Sequence, residues 1–138
     1  MNRTAQKYEV FMRLAADMAE LSTCPKHKVG AVLMKNKRII STGYNGSAIG
    51  EPHCGDVGCD LDERNHCVRT VHAEVNALLS AARVGVPTEG ATMLCTLEPC
   101  HLCMKAMVNA GIESVLYLKP HPDKRNAPFV DIMFKLEV

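Results

Sequence analysis

The sequence has little net charge and no long apolar run, and these two absences exclude several classes of protein. Its net charge is +1, whereas an extended nucleic-acid groove normally carries a basic patch or stripe. No stretch approaches the roughly 20 apolar residues that cross a bilayer. The opening MNRTAQKYEVFMRL mixes charged and apolar residues, unlike a signal peptide. We therefore expect a cytoplasmic protein without membrane or nucleic-acid partners, although a few placed cations would suffice for a small anionic substrate.

The composition favours one folded domain that uses its cysteines as metal ligands or buried thiols. Hydrophobic residues make up 47% of the chain and charged residues 22%, as in globular proteins. The 138 residues are enough for a single domain, 1–138, with a full core. Seven cysteines without an export signal argue against a disulfide framework, and the odd number points the same way.

The first half of the chain predicts a helix, a hairpin and a long loop. Apolar residues repeat with helical spacing over 4–21. The apolar runs 29–34 and 38–44 predict two strands of a hairpin. Glycines and a proline then punctuate the polar segment 45–65, and loops longer than about 15 residues are uncommon unless they are functional or disordered. A metal bound by cysteines of this region would explain an ordered loop.

The second half alternates helices and strands. Residues 71–84 and 99–110 are predicted helices, and 91–96 and 114–118 are predicted strands. The apolar residues of the tail, 129–136, predict a last short helix. The whole pattern predicts a three-layer α/β/α sandwich with a mixed central sheet.

Two short motifs predict a metal centre: His72-Ala73-Glu74, and PCHLC at residues 99–103. Cys100 and Cys103 are three residues apart in the first turn of a helix, so both sulfurs can lie on one side. The positive end of the helix favours the thiolate form that binds zinc. With a neutral imidazole from His72, three protein ligands leave the fourth position of a tetrahedral zinc open to water, as a catalytic zinc requires.

Glu74 is the expected proton shuttle of this centre. Zinc lowers the pKa of a bound water toward neutrality, and a nearby carboxylate can move the released proton to the substrate. Residues two apart do not face each other on a regular helix, so His72 and Glu74 should lie at a helix start. Either motif alone is a weak signal, because HxE occurs by chance and CxxC can also be redox-active. Together, and in this order, they match the zinc-dependent nucleobase deaminases.

Longer segments resemble the deoxycytidylate (dCMP) deaminase branch of the cytidine deaminase superfamily. They are VGAVLMKNKRIISTGYNGSAIG at 29–50, CVRTVHAEVNALLSAARVG at 67–85 and GATMLCTLEPCHLCMKAMVNAGI at 90–112. The resemblance implies hydrolysis of dCMP to dUMP and ammonia, which supplies the precursor of thymidylate. It also implies a homo-oligomer, typically a hexamer, activated by dCTP and inhibited by dTTP with Mg²⁺. The alternatives are a related deaminase of another base or nucleoside, and a non-catalytic zinc or nucleotide-binding module.

The resemblance also implies substrate-contacting residues. Asn45 would meet the deoxyribose hydroxyl, and the backbone N–H of Ala73 the pyrimidine edge. Tyr117 would face the base or the phosphate, although a half-buried tyrosine at a strand end is an equally good interpretation. For the phosphate, the favoured ligands are Lys26 and Arg125, chosen from the cations near strand or loop ends, although charged surface residues are usually only solvated. The other two candidates of that kind are Lys28 and Lys124.

Arg83 and Gly46 complete the implied set, as residues of the subunit contacts and the regulatory interface. Arg83 could equally be a solvated residue at a helix end, where its charge is favourable. One departure from the family is His101, because relatives commonly have proline after the first cysteine. We expect His101 to lie beside the metal site rather than to bind the metal.

Four further cysteines predict a second, structural zinc, as some members of the family have. A closed site of four cysteines suits a structural zinc, and the residues are Cys24, Cys54, Cys59 and Cys67. His53 and His66 are rival ligands because each is adjacent to a cysteine, and free thiols are the competing interpretation. Cys95 lies in an apolar strand and is expected to be a small core residue.

Overall fold

The computed structural model describes residues 2–137 and forms a mixed sheet with helices on both faces. The helices are α1 (Arg3–Ala19), α2 (Cys54–Val57), α3 (Ala73–Val84), α4 (His101–Asn109) and a 3₁₀ helix, Lys124–Ile132. The strands are β1 (Gly30–Lys35), β2 (Arg38–Tyr44), β3 (Gly46–Ser47), β4 (Thr70–Val71), β5 (Thr92–Leu97), β6 (Ser114–Lys119) and β7 (Met133–Lys135).

The central sheet has five strands in the order β2-β1-β5-β6-β7. Strand β1 pairs antiparallel with both β2 and β5, whereas β6 pairs parallel with β5 and with β7. The mixed sheet of the sequence analysis is therefore confirmed. Strands β3 and β4 form a separate antiparallel pair, in which Gly46 lies opposite Val71.

Alternate residues of the central strands serve two cores. Ala31 and Leu33 of β1 belong to the cluster under α3 and α4, and Val32 and Met34 to the cluster under α1. Successive side chains of a strand point to opposite faces of the sheet, which explains why β1 is an almost continuous apolar run. This arrangement is the predicted three-layer sandwich, with α1 on one face and α3 and α4 on the other.

Two glycines permit the close approach of helices to the hairpin. A Cβ at Gly30 would overlap the carbonyl oxygen of Ala15 in α1. A Cβ at Gly43 would lie 2.3 Å from the carbonyl oxygen of Ala73 and 2.6 Å from the backbone nitrogen of Ala77. The second contact matters for the site, because it seats the first turn of α3 directly against β2.

The prediction for the tail was wrong in part. A helix was expected over 129–136, but the 3₁₀ helix ends at Ile132 and residues 133–135 form β7, the fifth strand of the sheet. Apolar spacing over so short a segment does not separate a helix from an edge strand. Both predicted helices of the second half begin two residues later than expected, at Ala73 and His101. Among residues 2–137, no helix has both the length and the hydropathy of a bilayer span.

Candidate active site

The His72-Ala73-Glu74 motif lies at the start of α3, directly after β4, which pairs with β3. His72 is the N-cap residue, with an extended backbone (φ −68°, ψ 151°) and no capping hydrogen bond from its side chain. Its imidazole is therefore free to point into the site. Asn76 ties this turn to β2 and β4, because its Nδ2 donates to the Tyr44 carbonyl at 2.9 Å and lies 3.4 Å from the Val71 carbonyl.

The two cysteines of the second motif occupy the equivalent place on α4. Cys100 is the N-cap residue, also extended (φ −71°, ψ 167°), and Cys103 is buried in the first turn. Cys103 Sγ lies 3.2 Å from His72 Nδ1, and Cys100 Sγ lies 3.6 Å from the same nitrogen. The N-termini of α3 and α4 thus bring the three side chains together from positions 72, 100 and 103.

The chemistry and spacing of this set fit a zinc ion. One imidazole nitrogen and two sulfurs all lie within 4.8 Å of one another. Zinc–nitrogen and zinc–sulfur bonds of about 2.0 and 2.3 Å place tetrahedral N and S ligands about 3.5 Å apart. Three ligands of this kind match a catalytic rather than a closed structural zinc site.

The ionisation of the two thiols favours metal binding. Hydrogen bonding from Cys103, assisted by His72, lowers the pKa of Cys100 to about 4, so this sulfur is a thiolate at neutral pH. The pKa of Cys103 is raised, chiefly because its thiol donates to Cys100. The Cys100 thiolate in turn raises the pKa of His72. The metal-free cluster therefore already carries one of the negative charges that a zinc ion needs.

Glu74 is a buried carboxylate in contact with this cluster. Only 4% of the residue is exposed, and burial raises the pKa of its carboxyl. The neighbouring Cys103 thiol acts in the opposite direction and lowers the pKa of the Glu74 carboxyl. A carboxylate with a raised pKa accepts protons more readily than an exposed one, which suits a group that moves protons near neutral pH.

Comparison with known proteins agrees with this geometry. Residues 5–119 match the family described as the cytidine and deoxycytidylate deaminase zinc-binding region. The chain belongs to this deaminase family. Deoxycytidylate deaminase of Enterobacteria phage T4 is 34% identical to it, over 92% of this chain and 84% of the phage protein. The ComE operon protein 2 of Bacillus subtilis is 42% identical over 92% of this chain, which spans 65% of that relative's length.

A solved structure of the family has the same fold. The dCMP deaminase of cyanophage S-TIM5, crystallised with dCMP and dUMP, superposes with a TM-score of 0.79 at 28% identity. The match covers 98% of this chain and 98% of that one. The cytidine deaminase-like fold predicted from the sequence is therefore confirmed over nearly the whole chain.

Asn45 lies between β2 and β3, and its side-chain amide is hydrogen-bonded to the backbone of the segment before β1. Asn45 is buried; its Oδ1 accepts from the Val29 N–H at 2.9 Å, and its Nδ2 donates to the His27 carbonyl at 2.8 Å. Asn45 therefore fixes the segment 27–29, which leads into β1. Ala73 is the first residue of α3, so its N–H has no acceptor within the helix.

Tyr117 lines a cavity of about 370 Å³ next to the PCHLC turn. The cavity lies between the end of β6 and the 3₁₀ helix, and burial raises the pKa of the tyrosine hydroxyl. Arg125 is committed to an ion pair there: its Nε lies 3.0 Å from Asp123 Oδ1, and its Nη2 lies 2.9 Å from Asp123 Oδ2. Lys26 is exposed elsewhere, and its Nζ donates to the Asn65 carbonyl at 3.0 Å.

The four remaining loop cysteines form a second sulfur cluster. Cys24, Cys54 and Cys59 have sulfurs within 4.8 Å of one another. The Cys24 and Cys59 sulfurs are 3.8 Å apart, and Cys67 adjoins them with its sulfur 3.5 Å from that of Cys54. Tetrahedral zinc–sulfur bonds of about 2.3 Å place sulfurs about 3.8 Å apart, so the spacing suits a metal ion.

The structure describes the two histidines that were rival ligands of the second zinc and the two residues expected at the regulatory interface. His53 is the N-cap of α2, and the backbone N–H of His66 donates to Asp62 at 2.9 Å. Arg83 is exposed in the last turn of α3, and Gly46 is buried in β3. The roles of these residues stay predictions.

Two residues near the PCHLC turn were missed by the sequence analysis, namely Asp123 and Asn126. Asp123 is the N-cap of the 3₁₀ helix, and the buried Asn126 hydrogen-bonds the Pro99 carbonyl at 2.9 Å. His101 does not belong to the cluster of His72, Cys100 and Cys103. Its Nδ1 lies 3.3 Å from Asn126 Oδ1. An aspartate that opens a short helix is a recognisable capping signal, but nothing in the sequence pairs this helix with α4.

Proposed function

We propose that this deaminase is a zinc-dependent hydrolase that converts dCMP to dUMP and ammonia. The observation that carries the proposal is the buried carboxylate of Glu74 in contact with a three-ligand zinc site. The T4 relative is named deoxycytidylate deaminase, and the S-TIM5 enzyme was solved with dCMP and dUMP. These names support dCMP as the substrate of the present chain.

His72, Cys100 and Cys103 would hold the zinc ion, which would supply an activated water as the nucleophile. Glu74 would take one proton from that water and deliver it to the ring nitrogen. It would then take the proton of the hydroxyl group added to the ring and deliver it to the amino group, which leaves as ammonia. Burial keeps this carboxylate away from bulk solvent, so the proton it accepts is passed to the substrate. The unbonded N–H of Ala73, at the helix start, would donate to the pyrimidine carbonyl.

The deoxyribose and the phosphate are assigned to the loops around the site. Asn45 would present its remaining amide hydrogen or oxygen lone pair to the sugar hydroxyl, while its present bonds hold it in place. Tyr117 would contact the base or the phosphate from the cavity. Lys26 is the favoured phosphate ligand, because the ion pair with Asp123 neutralises Arg125.

We further propose that the second sulfur cluster holds a structural zinc. Despite its burial, Cys67 has a pKa of about 7, because backbone N–H groups of Arg69, Asp60 and Thr70 stabilise its thiolate. Burial and the neighbouring thiols raise the pKa of Cys54 to about 12. A bound cation would offset the repulsion between thiolates that lie this close together. A zinc ion would tie the 54–67 loop to the end of α1.

A homo-oligomer, such as a hexamer, is supported by apolar residues on the outer side of α3 and α4. Leu79, Val84 and Leu102 are 55%, 72% and 68% exposed. An interface that covered α3 and α4 would remove these side chains from water, which is favourable. Activation by dCTP and inhibition by dTTP with Mg²⁺, with Arg83 and Gly46 near the interface, remain part of the proposal.

Ammonia release from a panel of substrates tests the reaction. We expect dCMP to be turned over with a higher kcat/KM than deoxycytidine, cytidine, dCTP or a tRNA stem-loop. Lys26→Ala should raise KM for dCMP and leave that for deoxycytidine unchanged, whereas Arg125→Ala should have the smaller effect. A preference for any other member of the panel would overturn the assignment of dCMP.

A further inference from the structure

Asn126 contacts both residues that flank Cys100. It is 3% exposed, and its Nδ2 donates to the carbonyl of Pro99 at 2.9 Å. Its Oδ1 lies 3.3 Å from Nδ1 of His101, which donates to it in the tautomer that carries the hydrogen there. The ring of His101 also stacks on Phe129, with centroids 5.8 Å apart. One side chain of the 3₁₀ helix thus holds the turn on both sides of a metal-ligating sulfur.

Asp123 supplies the cap that Cys100 does not. Cys100 is the N-cap of α4 but makes no capping hydrogen bond with its side chain, which is turned toward His72. The first amides of a helix have no acceptor within it. The N–H of His101 is satisfied instead by Asp123 Oδ2 at 3.2 Å, and Arg125 holds the pKa of that carboxyl well below its usual range. A carboxylate at this end is also favoured by the helix dipole.

We propose that Asn126 is a positioning residue that, together with Asp123, holds the 99–101 turn so that Cys100 remains aimed at the zinc site. The inference deepens the proposed function, since it rests on His72, Cys100 and Cys103 as the ligands. Asp123 at the start of the 3₁₀ helix caps α4 in place of Cys100, so the cysteine sulfur is free to bind the metal. Groups that orient metal ligands in this way affect metal affinity without touching the metal.

Zinc release to a chromogenic chelator, measured on the full-length zinc-loaded protein, tests this role. Asn126→Ala should release zinc from this site about 10- to 100-fold faster, the usual range for loss of a ligand-orienting partner. Asp131→Ala, at an exposed residue of the same 3₁₀ helix, is the matched control and should release zinc at the unaltered rate. His72→Ala identifies which release phase belongs to this site, because that phase should be missing.

A double-variant cycle separates positioning from a general loss of stability. His101→Pro is compatible with the backbone, because proline is favoured at the first helical position and Cys100 already has the extended ψ of 167° that a following proline requires. The ring would stiffen the turn and remove the His101 contacts with Asp123 and Asn126. Asn126→Ala should therefore accelerate zinc release by a smaller factor in the His101→Pro background than in the unaltered chain.

Four outcomes decide the matter. If Asn126→Ala lowers the melting temperature but releases zinc at the unaltered rate, Asn126 is only structural and the proposal fails. An equal acceleration in both backgrounds also overturns it. Should Asn126→Ala not fold, Asn126→Asp keeps the shape and loses the donor to Pro99, and it must still release zinc faster. A His72→Ala chain that keeps the phase would instead overturn the zinc site, and with it the proposed function.

Discussion

We propose different roles for the two sulfur clusters of this deaminase, a catalytic zinc at one and a structural zinc at the other. The catalytic cluster takes its ligands from the N-termini of α3 and α4, and a buried carboxylate, Glu74, contacts it. The other cluster gathers four cysteines from the end of α1 and the 54–67 loop. Helix termini fix the direction of a side chain, whereas loop cysteines would let a bound metal fix the conformation of the loop. On this proposal, the number of thiols and the groups beside them, rather than the presence of thiols, would distinguish a reactive site from a structural one.

Removing the carboxylate should give the largest effect on this comparison. Glu74→Gln keeps the shape but cannot accept a proton, so kcat should fall by at least about 10²- to 10⁴-fold, with zinc content unchanged. Steady-state ammonia release and metal analysis measure the two quantities. Glu113→Gln changes an exposed carboxylate and is the control. Activity near that of the unaltered chain in Glu74→Gln would remove the proposed mechanism.

Removing one sulfur from each cluster in turn should separate an effect on turnover from an effect on stability. Cys103→Ser should lose one zinc per chain and all measurable turnover, with a modest change in melting temperature. Cys54→Ser should also lose one zinc, but its main effect should be on stability, by about 2–5 kcal/mol if this metal constrains the loop as a native disulfide does in a small domain. Metal counting, thermal melts and activity would be compared with Cys95→Ser, a buried thiol outside both clusters.

Equal effects of Cys103→Ser and Cys54→Ser on turnover and melting temperature would contradict the division of roles. A chain that carries one zinc before any substitution would show that the four loop cysteines are free thiols. His53 and His66 would become candidates if Cys54→Ser kept its metal.

The smallest expected effect concerns the pH dependence of stability in the metal-free chain. Burial raises the pKa of Glu74 in the folded state, so its contribution to stability is present below the unfolded pKa and is lost as pH rises through the folded value. Glu74→Gln should therefore melt higher than the unaltered chain at pH 8, with the difference fading toward pH 4. Each kcal/mol would shift the melting temperature by about 2–4 °C. A difference that grew as pH fell would contradict the raised pKa.

The sequence predicted most of the elements that build the catalytic cluster. The hairpin of β1 and β2 and the helices α3 and α4 are confirmed, because an apolar pattern marked each of them, Gly85 follows α3, and Pro99 and Gly111 flank α4. The tail was predicted less well, since a short apolar segment gains its strand conformation only by pairing with β6. Asn126 and Asp123 could not be found by local pattern, because their partners lie 22 to 27 residues away in the chain.

By itself the sequence determined the ligand chemistry: an imidazole, two thiols three residues apart, and a carboxylate two residues from the histidine. Local spacing was sufficient for this, because both motifs open helices. Only the tertiary structure decided that the two helix starts meet within bonding distance of one ion, that Glu74 is buried against them, and that the 3₁₀ helix caps α4 in place of Cys100. Those features depend on how distant segments pack across the sheet. The local sequence around each residue does not specify which distant segment it will contact.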